Sequence, residues 1–70
     1  VARLCAPITG SVWKILVAVG DIVAPGDELV ILESMKLEIP VEAEEDGTVR
    51  RLLVVEGVSV AEGDVLVEIG

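Results

Sequence analysis

The sequence predicts an all-β fold: eight short antiparallel strands in a flattened barrel or sandwich, built from two pseudo-symmetric halves, with no helix of consequence. Three observations carry this expectation. Val, Leu and Ile supply 28 of the 70 residues, 14 of them Val, while Phe and Tyr are absent and Trp13 is the one aromatic. Branched Cβ atoms pack well on a pleated surface and lose freedom in a helix. No stretch of ten residues holds a persuasive helical period. Finally, the chain repeats itself. Moved by 37 positions, Gly10 to Glu33 lies on Gly47 to Gly70 without a gap, and eleven of those 24 pairs are identical. The identities include Gly20/Gly57, Gly26/Gly63 and Asp27/Asp64, which a valine-rich chain matching itself by composition would not align.

Strands are expected near Arg3–Ala6, Ser11–Val17, Ile22–Val23 and Leu29–Ser34, then again near Leu37–Glu42, Thr48–Val54, Ser59–Val60 and Val65–Ile69. Turns separate them at Gly20–Asp21 and Pro25–Gly26–Asp27, and at Gly57 and Glu62–Gly63–Asp64. Proline presets φ for a first turn position and glycine supplies the positive φ of a second. Asp46–Gly47 reads as one more turn. Gly10, Gly20, Gly26, Gly47, Gly57 and Gly63 are architectural on this reading. Residues 1–70 then make a single domain, with repeats 4–33 and 41–70 joined by a hairpin at 34–40. Two units are too few for a solenoid, whereas closing them on one another buries the apolar face of each and limits open sheet edges. A chain this short buries only about 60% of the surface of its unfolded form, so a two-lobed enzyme with a deep cleft is excluded.

Thirteen acids against five bases (Arg3, Lys14, Lys36, Arg50 and Arg51) leave a net charge of −8. That balance excludes nucleic acid, whose binding rests on clustered Lys and Arg, and an anionic membrane surface. It suits partners that present basic surfaces. Histidine is absent, which removes the commonest general base and the commonest metal ligand. A lone Cys5 cannot form an intramolecular disulfide, so a reducing, cytoplasmic setting is expected. With no His to activate it, Cys5 reads as a small strand residue rather than a nucleophile. The acidic run Glu42, Glu44, Glu45 and Asp46 lacks the spacing of a calcium loop and reads as solvated. Trp13 reads as packing or a partner contact. No run of about 18 apolar residues and no signal peptide is visible, so a membrane address is not expected.

The repeats meet in Ser34-Met35-Lys36-Leu37-Glu38-Ile39-Pro40. Read outward from Met35-Lys36, the flanks mirror one another, Glu33 with Glu38 and Leu32 with Ile39. This is a hairpin with a two-residue loop. Such a loop normally takes Asn-Gly or Asp-Gly, because a type I′ turn needs positive φ at both central residues. A non-glycine residue held there costs of order 1–3 kcal/mol. A methionine at the tip also leaves apolar surface in water. Local rules broken at one spot, in a chain that obeys them elsewhere, point to a functional constraint. A lysine in a turn is usually only solvated, but Lys36 combines the unfavourable turn, the flanking Met35 and a place on the pseudo-axis. A single amine displayed there suits covalent modification.

Glu33-Ser34-Met35-Lys36-Leu37-Glu38 resembles the attachment motif of biotinyl domains, the carriers of biotin-dependent carboxylases and decarboxylases. Ala6-Pro7-Ile8-Thr9-Gly10 is similar to the usual start of such a domain, and the Gly-Asp spacing from Gly20 to Asp27 matches as well. The resemblance covers essentially the whole chain. It implies a barrel-sandwich hybrid with the modified lysine on a β-turn. It also implies that Lys36 is covalently biotinylated by a biotin protein ligase, with Met35 and Leu37 recognised by that ligase and Glu33, Ser34 and Glu38 flanking the hairpin. Leu37 departs from the commonest pattern, which has a second Met after the lysine, but keeps its size and apolarity. The gapless repeat leaves no space for the "thumb" insertion of some bacterial carriers, so the thumbless type is implied. The tethered biotin would take up CO2 at a biotin carboxylase and deliver it at a carboxyltransferase.

With no histidine or other convincing base beside it, Lys36 is not expected to acylate itself, and the domain is expected to be a carrier rather than an enzyme, with no catalytic residue and no metal. Two alternatives stand beside this. A lipoyl carrier of 2-oxoacid dehydrogenase complexes would share the architecture but usually shows Asp-Lys-Ala at the hairpin. An unmodified barrel-sandwich adaptor would carry no adduct.

Overall fold

Short apolar runs, cut at regular intervals by glycine and aspartate, leave the chain little choice but brief strands. In the computed structural model, which describes residues 2–70, eight form: β1 (Ala2–Cys5), β2 (Gly10–Ile15), β3 (Ile22–Val23), β4 (Glu28–Ser34), β5 (Leu37–Glu42), β6 (Gly47–Leu52), β7 (Ser59–Val60) and β8 (Val65–Ile69). They make two four-stranded sheets, β1-β8-β6-β3 and β5-β4-β2-β7, and every pairing within them is antiparallel. Adding four to each label of the first sheet, and returning past β8 to β1, gives the order of the second. The internal repeat is thus a two-fold relation between sheets.

The inner faces meet in a core of small branched side chains. Leu29, Val30 and Leu32 of β4 are fully buried, as are Leu66 and Val67 of β8, with Val12 and Val49 at 1% exposure. Each of the fourteen buried core residues has its repeat partner, 37 positions away, in the core. Complete burial of a Val or Leu side chain contributes roughly 1.5–3 kcal/mol. Among the described residues no polar or charged side chain is buried, so packing alone specifies the interior.

Four turns of one design close the body. In Ala24–Asp27 and Ala61–Asp64 the last N–H donates to the first carbonyl at 3.0 Å, and Ala18–Asp21 does the same at 3.0 Å. Gly20, Gly26, Gly57 and Gly63 occupy the third position with φ of 90–100°, the value a type II turn requires there. The closing aspartates bend back on their own turns. The N–H groups of Ala18, Ala24 and Ala61 donate to Oδ2 of Asp21, Asp27 and Asp64 at 2.8, 2.9 and 2.8 Å. The fourth turn has Val58 in the aspartate position, and its backbone bond stretches to 3.4 Å. Glu56 acts there instead, its Oε2 accepting from the Ile15 N–H at 3.0 Å.

Each turn also serves the other half. Gly20 donates to the Val49 carbonyl and Gly57 to the Val12 carbonyl, both at 2.8 Å. Gly26 donates to Ala43 at 2.9 Å and Gly63 to Ala6 at 2.8 Å. This explains why three strands end before their expected limits. Leu16 and Leu53 still donate to Leu29 and Leu66, but Val17 and Val54 leave the ladder because the chain must swing across to the opposite sheet. Ala6 likewise leaves β1 to bracket the Gly63 turn. Each of β2 and β6 carries a bulge, at Trp13 between Val12 and Lys14 and at Arg50 between Val49 and Arg51.

Asp46–Gly47 is not a turn. Gly47 opens β6, with no positive φ, and its missing side chain has a spatial cause. An added Cβ would lie 2.3 Å from Ile69 Cγ2. Cys5 is an exposed residue of β1.

Candidate functional site

β4 and β5 form the central hairpin, in the register Leu32↔Ile39, Glu33↔Glu38 and Ser34↔Leu37. The last pair leaves two residues for the loop. Both take the left-handed conformation, Met35 at φ 52° and Lys36 at φ 68°, and they are the only non-glycine residues with positive φ among those described. The turn chemistry that the sequence violates is therefore present in the backbone. The strain, of order 1–3 kcal/mol per residue, is held by the ladder below, where Leu32 is fully buried.

The tip is outside the core. Met35 is 93% exposed and Leu37 65%. Lys36, Glu33 and Glu38 are exposed, and Ser34 is half-buried. Lys36 thus stands between two apolar side chains that lie in water, above a pair of carboxylates. The other lysine is differently placed. Lys14 lies on β2 with its Nζ 5.4 Å from the centre of the Trp13 ring, within cation–π reach. Arg3 and Arg51 flank Glu68 on the opposite sheet at 3.1 and 3.7 Å. Among the described residues, Lys36 makes no ion pair and no side-chain hydrogen bond.

Two surface hollows, one lined by Leu53, Val54 and Val65 among others and one by Arg3, Glu44 and Ile69 among others, include none of residues 33–38. Among the described residues no group of His, Cys, Asp and Glu could hold a metal ion, and no helix is long and apolar enough to cross a membrane. The arrangement offers a nucleophile to something outside the domain.

The structure brings Glu33, Ser34, Met35, Lys36, Leu37 and Glu38 together in one hairpin, as the sequence implies. It adds two neighbours from β2. Ser11 is paired with Glu33. Beside it, the Cα of Gly10 faces the hairpin's base, and a Cβ there would lie 2.6 Å from the Glu33 carbonyl oxygen. The strand expected from the sequence begins at Ser11, so the close backbone approach that a glycine within a strand often marks was not expected at Gly10. Trp13 is 41% exposed and holds Lys14 rather than filling the core. The acids Glu44 and Glu45 lie beside β1 at one hollow, not at the hairpin.

Comparison with known proteins points the same way. Residues 3–69 match the family described as "Biotin-requiring enzyme". The chain is 47% identical over 62 residues to a Biotin/lipoyl attachment protein of Bacillus subtilis, covering 89% of this chain and 85% of that one. It is 47% identical over 64 residues to the Biotin-dependent acyl-coenzyme A carboxylase alpha3 subunit of Mycobacterium leprae, covering 91% of this chain but 11% of that protein. In three dimensions it superposes on part of the Kluyveromyces lactis urea carboxylase with a TM-score of 0.93 at 39% identity, covering 99% of this chain and 6% of that one. The same body thus occurs nearly alone and as a small part of much larger chains.

Proposed function

The chain belongs to the biotin-requiring enzyme family and is a biotin carrier domain, and on that premise we propose that Lys36 is the residue to which biotin is joined. The observation that carries this is the turn: Met35 and Lys36 both sit in a conformation that glycine would adopt more cheaply, and the amine so displayed has no ion-pair or hydrogen-bond partner among the described residues. A primary amine forms an amide with a carboxylate, and that is the linkage such a site fits.

The chain's own residues supply presentation. The amine, freed of a proton, attacks the carbon of an activated carboxyl group. The C–N bond forms, the bond to the activating group breaks, and the proton leaves with a base. Without histidine in the chain, that base and the activated donor come from a biotin protein ligase. Met35 and Leu37 are the apolar contacts such a ligase would grip. Glu33 and Glu38 set a negative field at the approach, with Ser34 at the hairpin's base.

When bound, biotin supplies the chemistry of carrying CO2. The domain's part is geometric. A tether on a rigid hairpin holds the group at high effective concentration for two sites in turn, which we take to be a biotin carboxylase and a carboxyltransferase. The carboxylase relatives support this. The domain itself contributes no catalytic group, and the lone Cys5 fits a reducing cytoplasm.

Intact mass after incubation with a biotin ligase, biotin, ATP and Mg²⁺ tests the site. One biotinyl group per chain is expected, with none on Lys36→Ala and an unchanged yield on Lys14→Ala. Omitting the ligase should give no adduct. Labelling at Lys14, or appreciable labelling without ligase, would overturn the assignment. A chain isolated with a lipoyl group on Lys36 would favour the alternative carrier.

A further inference from the structure

Six glycines recur between the two halves, in three pairs, and they divide by cause. Gly20, Gly57, Gly26 and Gly63 have φ of 90–100° and open space where a Cβ would stand; they are required by their turns. Gly10 and Gly47 have no positive φ. They lie in strands, where glycine weakens the sheet and is kept for close approach. Yet the two meet different neighbours. At Gly47 the added Cβ would strike a side chain, Ile69 Cγ2 at 2.3 Å. At Gly10 it would strike the backbone of β4: the Glu33 carbonyl oxygen at 2.6 Å and its carbon at 3.3 Å, with Ser34 Cβ at 3.4 Å.

From this difference we infer that Gly10 is a positioning residue for Lys36, acting through the Glu33–Ser34 backbone to fix where the amine is held. The inference rests on Lys36 being the attachment residue. β2 pairs with β4 as far as Ser11↔Glu33, and only Gly10, the first residue of β2, reaches beyond that pair toward Ser34. The flat Cα of Gly10 is the last surface against which the hairpin seats. Below Glu33 the strand cannot yield, because Leu32 is fully buried. A side chain at position 10 must therefore displace the part that is free, Ser34 through Leu37, by several tenths of an ångström or more. Lys36 moves with it. A reacting group misplaced on this scale loses rate even when everything else is intact. The repeat supplies the control: a methyl at position 47 disturbs the core against Ile69, in the other sheet, and leaves the hairpin's seat untouched.

The test compares Gly10→Ala and Gly47→Ala in three measurements: thermal unfolding, backbone amide shifts, and steady-state biotin transfer by a biotin ligase with the carrier as varied substrate. Both variants are expected to melt below the parent. Gly10→Ala should move the amides of residues 33–38, and its kcat/KM for transfer should fall about tenfold at a temperature where it is folded, with loss in kcat beyond any rise in KM. Gly47→Ala should be labelled within about twofold of the parent. Labelling of Gly10→Ala at the parent rate would overturn the inference. So would equal slowing in both variants, or a Gly10→Ala chain with no cooperative melt, since the glycine would then hold the fold rather than the hairpin's place. Failure of the parent chain itself to accept biotin on Lys36 would instead count against the attachment assignment.

Discussion

Glu33 stands directly opposite Glu38, one pair below the closing pair Ser34↔Leu37 of the lysine turn, and Glu28 faces Glu42 in the same ladder. Like charges opposed across strands are destabilising, and among the described residues no cation pairs with either couple; Arg3 and Arg51 are engaged by Glu68 on the other sheet. The double change Glu33→Gln and Glu38→Gln is expected to stabilise the domain by about 0.5 kcal/mol, which raises its melting midpoint by roughly 2–4 °C at this size. The same variant should be biotinylated more slowly at low salt, with a flatter salt dependence. A ligation rate that was already insensitive to salt, and unchanged in the variant, would reject electrostatic steering.

The turn is expected to show a trade between stability and function. Replacing Met35-Lys36 with Asn-Gly removes the left-handed strain on two ordinary side chains. Chemical denaturation should report a gain of about 1–2 kcal/mol, while labelling disappears. Lys36→Arg, which keeps the charge and the strain, should leave stability unchanged and also abolish labelling. A less stable Asn-Gly variant would show that the Met-Lys turn is not strained.

The aspartates that close the turns should matter equally in the two halves. Asp27→Ala and Asp64→Ala each remove a carboxylate that accepts from the turn's first N–H at 2.9 and 2.8 Å. Each is expected to cost about 1–2 kcal/mol, read from denaturant midpoints at constant slope. A large inequality between them would mean that the two-fold relation of the backbone does not extend to its energetics.

The core is expected to have little reserve. Leu66→Ala, at a fully buried site, should cost about 2–5 kcal/mol. A 70-residue domain has a total stability of roughly 4–10 kcal/mol. Partial unfolding at 37 °C, visible as faster amide exchange throughout both sheets, is the expected result. Exchange confined to β8 would contradict a single cooperative core.

Much of this molecule was legible in its residues because turns are local. Gly20, Gly26, Gly57 and Gly63 declare a positive φ wherever they occur, and the 37-residue shift aligns them. The two-residue turn at Met35-Lys36 was legible for the opposite reason, as mirrored flanks around a residue pair that the turn type disfavours. What escaped was non-local. The bulges at Trp13 and Arg50 cannot be seen in a two-residue alternation, since they depend on which partner each strand skips. Gly47 read as a turn because Asp precedes it, although its cause is Ile69, 22 residues away. Gly10 read as architecture for the same reason: the carbonyl it must avoid belongs to Glu33. The strand ends at Ile15 and Leu52 were overrun because departure from the ladder is dictated by the opposite half.

The reciprocal bonds of Gly20 to Val49 and Gly57 to Val12 have a mechanical meaning. A pull at the Met35-Lys36 turn enters β4 and β5, but β4 is fastened to β2, β2 to the Gly57 segment, and the end of β5 through Ala43 to the Gly26 turn. Force at the tip therefore passes into both halves at once, and on the proposed attachment at Lys36 this bracing would hold the root of the tether in place.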